Sequence, residues 1–226
     1  MSQNTDRISI QVGLSGYSFK LQTADTVKTS GWMSAERIFT TPEFQKRYDK
    51  VEISVFTPKI SLVPEQFQDQ TSDASMLESV ADLSEGDVVT SIPVPEFAAV
   101  LVYSNTIGET LSRVVSQTVL DKAGTKAVPL PEMYYMLGTV QQLPDYNKIL
   151  ASYMDGTLYL VIAQGRSLLL CNAFQAPDFT TAEYFIFLAM KKLQLNPEVS
   201  TICFRTPLSE DDEMSLYRYF KNVEQI

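Results

Sequence analysis

"KILASYMDGTLYLVIAQGRSLLLCNAF", Lys148 to Phe174, decides the fold. Three apolar runs are separated by two short polar-glycine steps, Asp155-Gly156 and Gln164-Gly165. Asp-Gly is a favoured pair for a type I′ hairpin turn, because both central residues must take positive φ. The stretch therefore reads as a three-stranded meander. Downstream, Thr180–Leu195 has the pattern of a helix, "STICF" that of a strand and "EDDEMSLYRYF" that of a second helix. The order is β-β-β-α-β-α.

The beginning of the chain repeats this order more loosely. In "ISIQVGLSGYSFKL", Ile8 to Leu21, apolar residues alternate with polar ones on both sides of Ser15-Gly16, which predicts two half-buried strands in a hairpin. "SAERIFT" is expected to supply a third strand, and Thr41 to cap a short helix with Pro42 at its first position. "VEISVFT" and "KISLVP" return to strand, and "AAVLVYS" is an apolar strand after an acidic middle segment, Asp69 to Pro95, with a helix around "ASMLESVA". Thr106 and Glu109 have capping-box spacing, and Ile107, Leu111, Val114, Val115 and Val119 fall on one helical face. "KAVPLP" reads as a short strand or extended link, and "PEMYYMLGTVQQL" as a helix whose Tyr134-Tyr135-Met136 cluster is expected to pack in a core, with a partner surface as the alternative. Two related lobes are expected, 1–146 and 147–226.

Composition limits the chemistry. The 226 residues are 45% hydrophobic and 11% aromatic, enough for a substantial core, and the chain contains no histidine. That absence removes the commonest general base and the usual nitrogen ligand of zinc. A net charge of −9 argues against nucleic acid, and no basic run is longer than a pair such as Lys191-Lys192. There is no Walker A loop, no G-x-G-x-x-G, no G-x-S-x-G elbow and no S-x-x-K pair. The apolar runs are shorter than the roughly 20 residues of a membrane span, and the polar start "MSQNTDR" has no signal-peptide core, so a cytoplasmic location is expected. Cys171 and Cys203 each lie within an apolar run and are expected to be buried free thiols.

"LYLVIA" and "LLLC" lack alternation, which predicts burial on both faces of their strands. Tyr184, Phe185, Phe187, Leu188 and Met190 exceed a single helical stripe, so their helix is expected to be sandwiched, either by the other lobe or by a partner protein.

Three segments, "ISIQVGLSGYSF", "KISLVPEQF" and the run from "LYLVIAQGRSLLLCNAF" through "STICF", resemble the Bacteroidetes domain of unknown function numbered 3822 over nearly the whole chain. Members of that family are similar to actin-like ATPases. The resemblance implies an α/β, two-lobed actin-like fold, each lobe a mixed sheet with a ribonuclease-H-like β-β-β-α-β-α core. Active relatives place an Asp, then Gly and hydroxyl residues, in each of two hairpins, where backbone N–H groups hold phosphates and carboxylates orient Mg²⁺. Here the first hairpin is Gly13-Leu14-Ser15-Gly16, without an acid, and the second is Met154-Asp155-Gly156-Thr157, with one Asp but no Gly-rich continuation. Where such ATPases place Gly-Gly against adenosine, this chain has Arg205-Thr206-Pro207.

Ser15, Gly16, Asp155, Gly156 and Arg205 are thus the residues of a candidate remnant nucleotide cleft, with no metal or catalytic assignment. Each has a simpler reading as well: Ser15-Gly16 and Asp155-Gly156 as turns, and the acidic run Glu210–Glu213 after Ser209 as a capped helix start. The preferred expectation is a non-catalytic binding or scaffolding protein with an unidentified protein partner and no cofactor. The alternative is a divergent nucleotide-binding ATPase or sugar-kinase-like enzyme that uses ATP, Mg²⁺ and Asp155.

Overall fold

A computed structural model describes residues 5–70 and 72–226. The first four residues of the polar start, and Thr71 in the acidic middle, lie outside the described residues.

Alternating Ile8, Ile10 and Val12 bury one side of β1 (Arg7–Val12), which turns into β2 (Gly16–Gln22). β3 (Val27–Thr29) and the two-residue β4 (Met33–Ser34) both pair antiparallel with β2. "SAERIFT" does not form the third strand: Ala35–Arg37 is a 3-10 turn, and "VKT" of β3 takes the strand's place because it can pair with β2 at Lys20–Gln22. Pro42 opens a 3-10 helix, Pro42–Gln45, as its fixed φ allows. Thr41 does not cap it, since its hydroxyl donates to the Arg37 carbonyl and also meets the Tyr17 hydroxyl.

β5 (Lys50–Val55) and β6 (Ile60–Pro64) follow, then α1 (Asp73–Glu78), whose N-cap Ser72 accepts from the Ser75 N–H. Next come β7 (Thr90–Val94), the fully buried β8 (Ala99–Tyr103) and α2 (Glu109–Thr118). The capping box at Thr106 does not form. Thr106–Gly108 is a 3-10 turn, Gly108 is the N-cap, and the Glu109 carboxylate instead pairs with Arg113 one turn along the helix. Ile107 is accordingly exposed, while Val115 and Val119 enter the core. The chain continues through β9 (Leu130–Pro131), α3 (Glu132–Gln142), β10 (Asn147–Met154), β11 (Thr157–Gln164) and β12 (Ser167–Gln175). It finishes with α4 (Phe179–Lys192), β13 (Thr201–Phe204), α5 (Glu210–Tyr217) and β14 (Asn222–Gln225).

Residue contacts divide the chain into two units: residues up to Thr57 with Asn105–Glu132, and Pro58–Ser104 with Met133–Ile226. In the first unit the strand order is β3-β2-β1-β5-β9, with β1, β5 and β9 parallel. Its core joins Ile8, Ile10, Phe19 and Ile53 to Phe44, Val115 and Val119.

In the second unit the order is β12-β11-β10-β13-β14, with β10, β13 and β14 parallel. Each sheet is therefore an antiparallel meander whose first strand continues into two parallel strands. This duplicated ribonuclease-H-like order is the actin-like architecture that the family resemblance implied. The second unit also carries the antiparallel sheet β6-β8-β7, on which α1 buries Leu77 against Val100 and Val102.

Burial corrects two expectations. β11 is covered on both faces, but β12 is an edge strand whose residues are at most partly buried. Cys171 on β12 is consequently only half-buried, whereas Cys203 on β13 is buried; both are free thiols, and burial pushes each up to about 12, with Glu224 and Asp145 adding to the effect at Cys203. α4 turns Ala182, Ile186 and Met190 to the core of its own unit and leaves Tyr184 60% exposed.

Candidate functional site

Open α/β sheets bind ligands at the carboxyl ends of their parallel strands. In the second unit, the register Ile149–Ala151 against Ile202–Phe204 puts the Asp155-Gly156 turn and Arg205 at one such end. In the first unit, Ser15 and Gly16 follow the carboxyl end of β1. The structure thus brings Asp155, Gly156 and Arg205 to one sheet end and holds Ser15 and Gly16 at the corresponding end of the other sheet.

The first hairpin is closed by its own backbone. The Gly13 N–H donates to the Gly16 carbonyl at 3.0 Å, and the Ser15 carbonyl accepts the Ala35 N–H at 3.1 Å. Gly16 pairs with Ser34, and a Cβ on it would lie 2.2 Å from the Met33 carbonyl oxygen and 2.8 Å from Trp32 Nε1. Glycine is required here by the close approach of β4. A phosphate cradle needs several N–H groups turned outward together; at this tip one N–H is used internally and a carbonyl is used by the neighbouring segment.

The second hairpin is a type I′ turn. Asp155 has φ 50° and Gly156 φ 71°, and the Gly156 carbonyl accepts the Ala176 N–H at 2.8 Å, tying the turn to the end of β12. Asp155 is exposed.

Arg205 is directed to α3. Its Nη1 donates to Thr139 Oγ1 at 2.8 Å, its guanidinium carbon lies 5.9 Å from the Tyr135 ring centre, and its N–H donates to the Ala151 carbonyl. Thr206 is buried and its hydroxyl accepts the Tyr153 N–H at 3.0 Å. Arg205 and Thr206 thus fasten β13 to β10 and α3. Tyr153 in turn donates to the Ala176 carbonyl, and burial, then the negative charges of Asp178 and Asp212, raise its pKa.

A polar cluster in the first unit escaped the sequence reading. Glu132, fully buried, accepts from Gln11 Nε2 at 3.0 Å, and Gln11 Oε1 accepts from Ser18 Oγ at 3.1 Å. Ser54, beside Gln11 in register on β5, is buried, and its hydroxyl is without a partner among the described residues. Alternation assigned Gln11 and Ser18 to a solvated face. The structure buries them at 8% and 3% exposure, because the second face of the β1–β2 hairpin is covered as well. The usable signal was Pro131-Glu132, a proline followed by an acid at a helix start. Among the described residues, no three His, Cys, Asp or Glu side chains group as metal ligands, and no helix is long and apolar enough to cross a membrane.

Comparison with known proteins agrees with this geometry. The family described as "Protein of unknown function (DUF3822)" matches residues 4–223. No curated protein matches the chain. Among solved structures, the chain is similar to a Bacteroides thetaiotaomicron protein with actin-like ATPase fold and unknown function, with 14% identity, 98% of this chain and 90% of that one covered, and a TM-score of 0.65. It is also similar to a structure of the PilM–PilN type IV pilus biogenesis complex, with 12% identity, 97% and 88% coverage, and a TM-score of 0.50.

Proposed function

The chain belongs to the DUF3822 family, and from that premise we propose that it is an actin-like binding or scaffolding protein that does not turn over nucleotide. The observation that carries the proposal is the engagement of the two hairpins and of Arg205. Gly13 and Ser15 spend backbone groups within the first unit, the Gly156 carbonyl is tied to Ala176, and Arg205 is held on Thr139 and Tyr135. Phosphoryl transfer works by positioning a phosphate cradle, a metal and a water together, and these parts act as a unit. Asp155 supplies at most one of them.

A protein partner is proposed on the same reasoning: an actin-like fold without its chemistry still offers surfaces, and the PilM–PilN complex is one case in which a protein similar in fold is assembled with another. The net charge of −9 favours a partner other than nucleic acid, and two free thiols suit the cytoplasm.

A phosphate-release assay with ATP and Mg²⁺ on wild type and Asp155→Asn tests the reading. Neither should turn over ATP, and the substitution should change stability by less than about 0.5 kcal/mol, because Asn tolerates positive φ as Asp does. Magnesium-dependent hydrolysis that Asp155→Asn abolishes would establish the competing reading, a divergent ATPase or sugar-kinase-like enzyme.

A further inference from the structure

α4 and α5 present an exposed apolar face that capping and core packing do not explain. Because β12, β13 and β14 all run parallel to β10, both crossover helices run the same way, from the carboxyl end of the sheet to the other end. Each buries one side: Ala182, Ile186 and Met190 from α4, Leu216 from α5. Opposite the core side of α4, Tyr184, Leu188 and Lys191 follow helical spacing. Phe187 meets the Tyr219 ring edge-on at 4.9 Å, which joins α4 to the end of α5. Tyr184, Tyr219 and Met214 are 60%, 52% and 65% exposed.

Charge is graded along the same pair. Asp178 and Glu210–Glu213 lie at the amino ends; Lys191, Lys192, Arg218 and Lys221, all exposed, lie at the carboxyl ends. Helix dipoles account for charges of these signs at these ends, but not for the uncovered tyrosines and methionine between them. An interface rich in aromatic residues between complementary charges is self-complementary under a two-fold rotation: the acidic end of one copy meets the basic end of the other, and the aromatic centres stack together.

We propose that the α4–α5 face is the site at which a second copy of this chain docks, antiparallel, to form a homodimer. Its strength follows from its size. A 14-residue helix is about 21 Å long, and two helices packed about 10 Å apart present roughly 400 Å² per copy. That is half the roughly 800 Å² per partner of a stable interface, so the dimer is weak and sensitive to salt. The proposal is separate from the question of nucleotide, since ATP binding elsewhere would leave it unchanged.

Sedimentation velocity of the full chain across a dilution series should show mass rising from monomer toward dimer, and returning to monomer in high salt. Tyr184→Ala with Tyr219→Ala should raise the dissociation constant about tenfold or more. A charge exchange supplies the second arm. One copy carries Lys191→Glu and Arg218→Glu, another Glu210→Lys and Asp211→Lys; each alone should dissociate about tenfold more readily, and their mixture should associate like wild type. Unchanged melting of each variant verifies that it folds. A monomer at every concentration, a dimer indifferent to the tyrosine pair, or a mixture of folded charge variants that fails to associate would overturn the proposal. So would binding of the monomer to phosphatidylserine vesicles that the tyrosine pair abolishes, which would assign the face to a membrane.

Discussion

Gly16 and Gly156 look alike in the sequence, each a glycine after a small polar residue between two strands, yet the structure requires them for different reasons. At Gly156 the cause is local: φ is positive, and Asp155-Gly156 announces a turn that only such residues make readily. At Gly16 the cause is tertiary, because the Met33 carbonyl oxygen occupies the space a Cβ needs, 2.2 Å away. Gly16→Ala should therefore destabilise the protein by about 1–3 kcal/mol, the usual cost of forcing extra volume into a packed place, as read from urea denaturation. An unchanged midpoint would show that β4 can move aside. The turn was legible from Ser15-Gly16; the reason for its glycine was not, since no pattern within the hairpin reveals a strand that approaches from 17 residues downstream of it. The same limit hid Glu132, which meets Gln11 across 121 positions of sequence.

Elements were legible in proportion to how far local pattern alone determines them. β10, β11 and α4 are long and strongly apolar, and they appear where the pattern placed them. β14, "NVEQ", is short and polar apart from Val223, and it exists because β13 offers it a parallel edge, so nothing in its own residues predicted it. The β6-β8-β7 sheet yields a prediction at this scale. Asp87, before β7, accepts from Lys59, the Ser84 N–H and Ser104, and the Lys59 hydrogen bond first, then that of Ser84, hold its carboxyl below the ordinary range. Because the folded pKa lies below the unfolded one, the stabilisation is complete above about pH 4 and disappears as pH falls through the lower folded value. Wild type should exceed Asp87→Asn in stability at neutral pH, and the difference should close in acid, measured by denaturation across pH. A gap independent of pH would mean that the charge is not what stabilises this corner.

For the whole molecule, two sheets of the same unusual order arise from sequences with little in common. What they share is a plan: a meander whose first strand is long enough to accept a parallel neighbour, then connections that return the chain to the same edge. The plan was readable in Lys148–Phe174 and, more faintly, in Ile8–Leu21. The grouping of 58–104 with the second sheet was not, because strands such as "AAVLVYS" carry burial in their composition but not the identity of their neighbours. We propose that this plan persists here without the nucleotide chemistry of actin-like ATPases. The decisive measurement is the melting temperature of the full chain with and without ATP and Mg²⁺. A ligand that binds the native state at 100 times its dissociation constant adds about 2.7 kcal/mol to stability; without a nucleotide site, saturating ATP should produce no shift. A rise with ATP and Mg²⁺ that Asp155→Asn removes would contradict it.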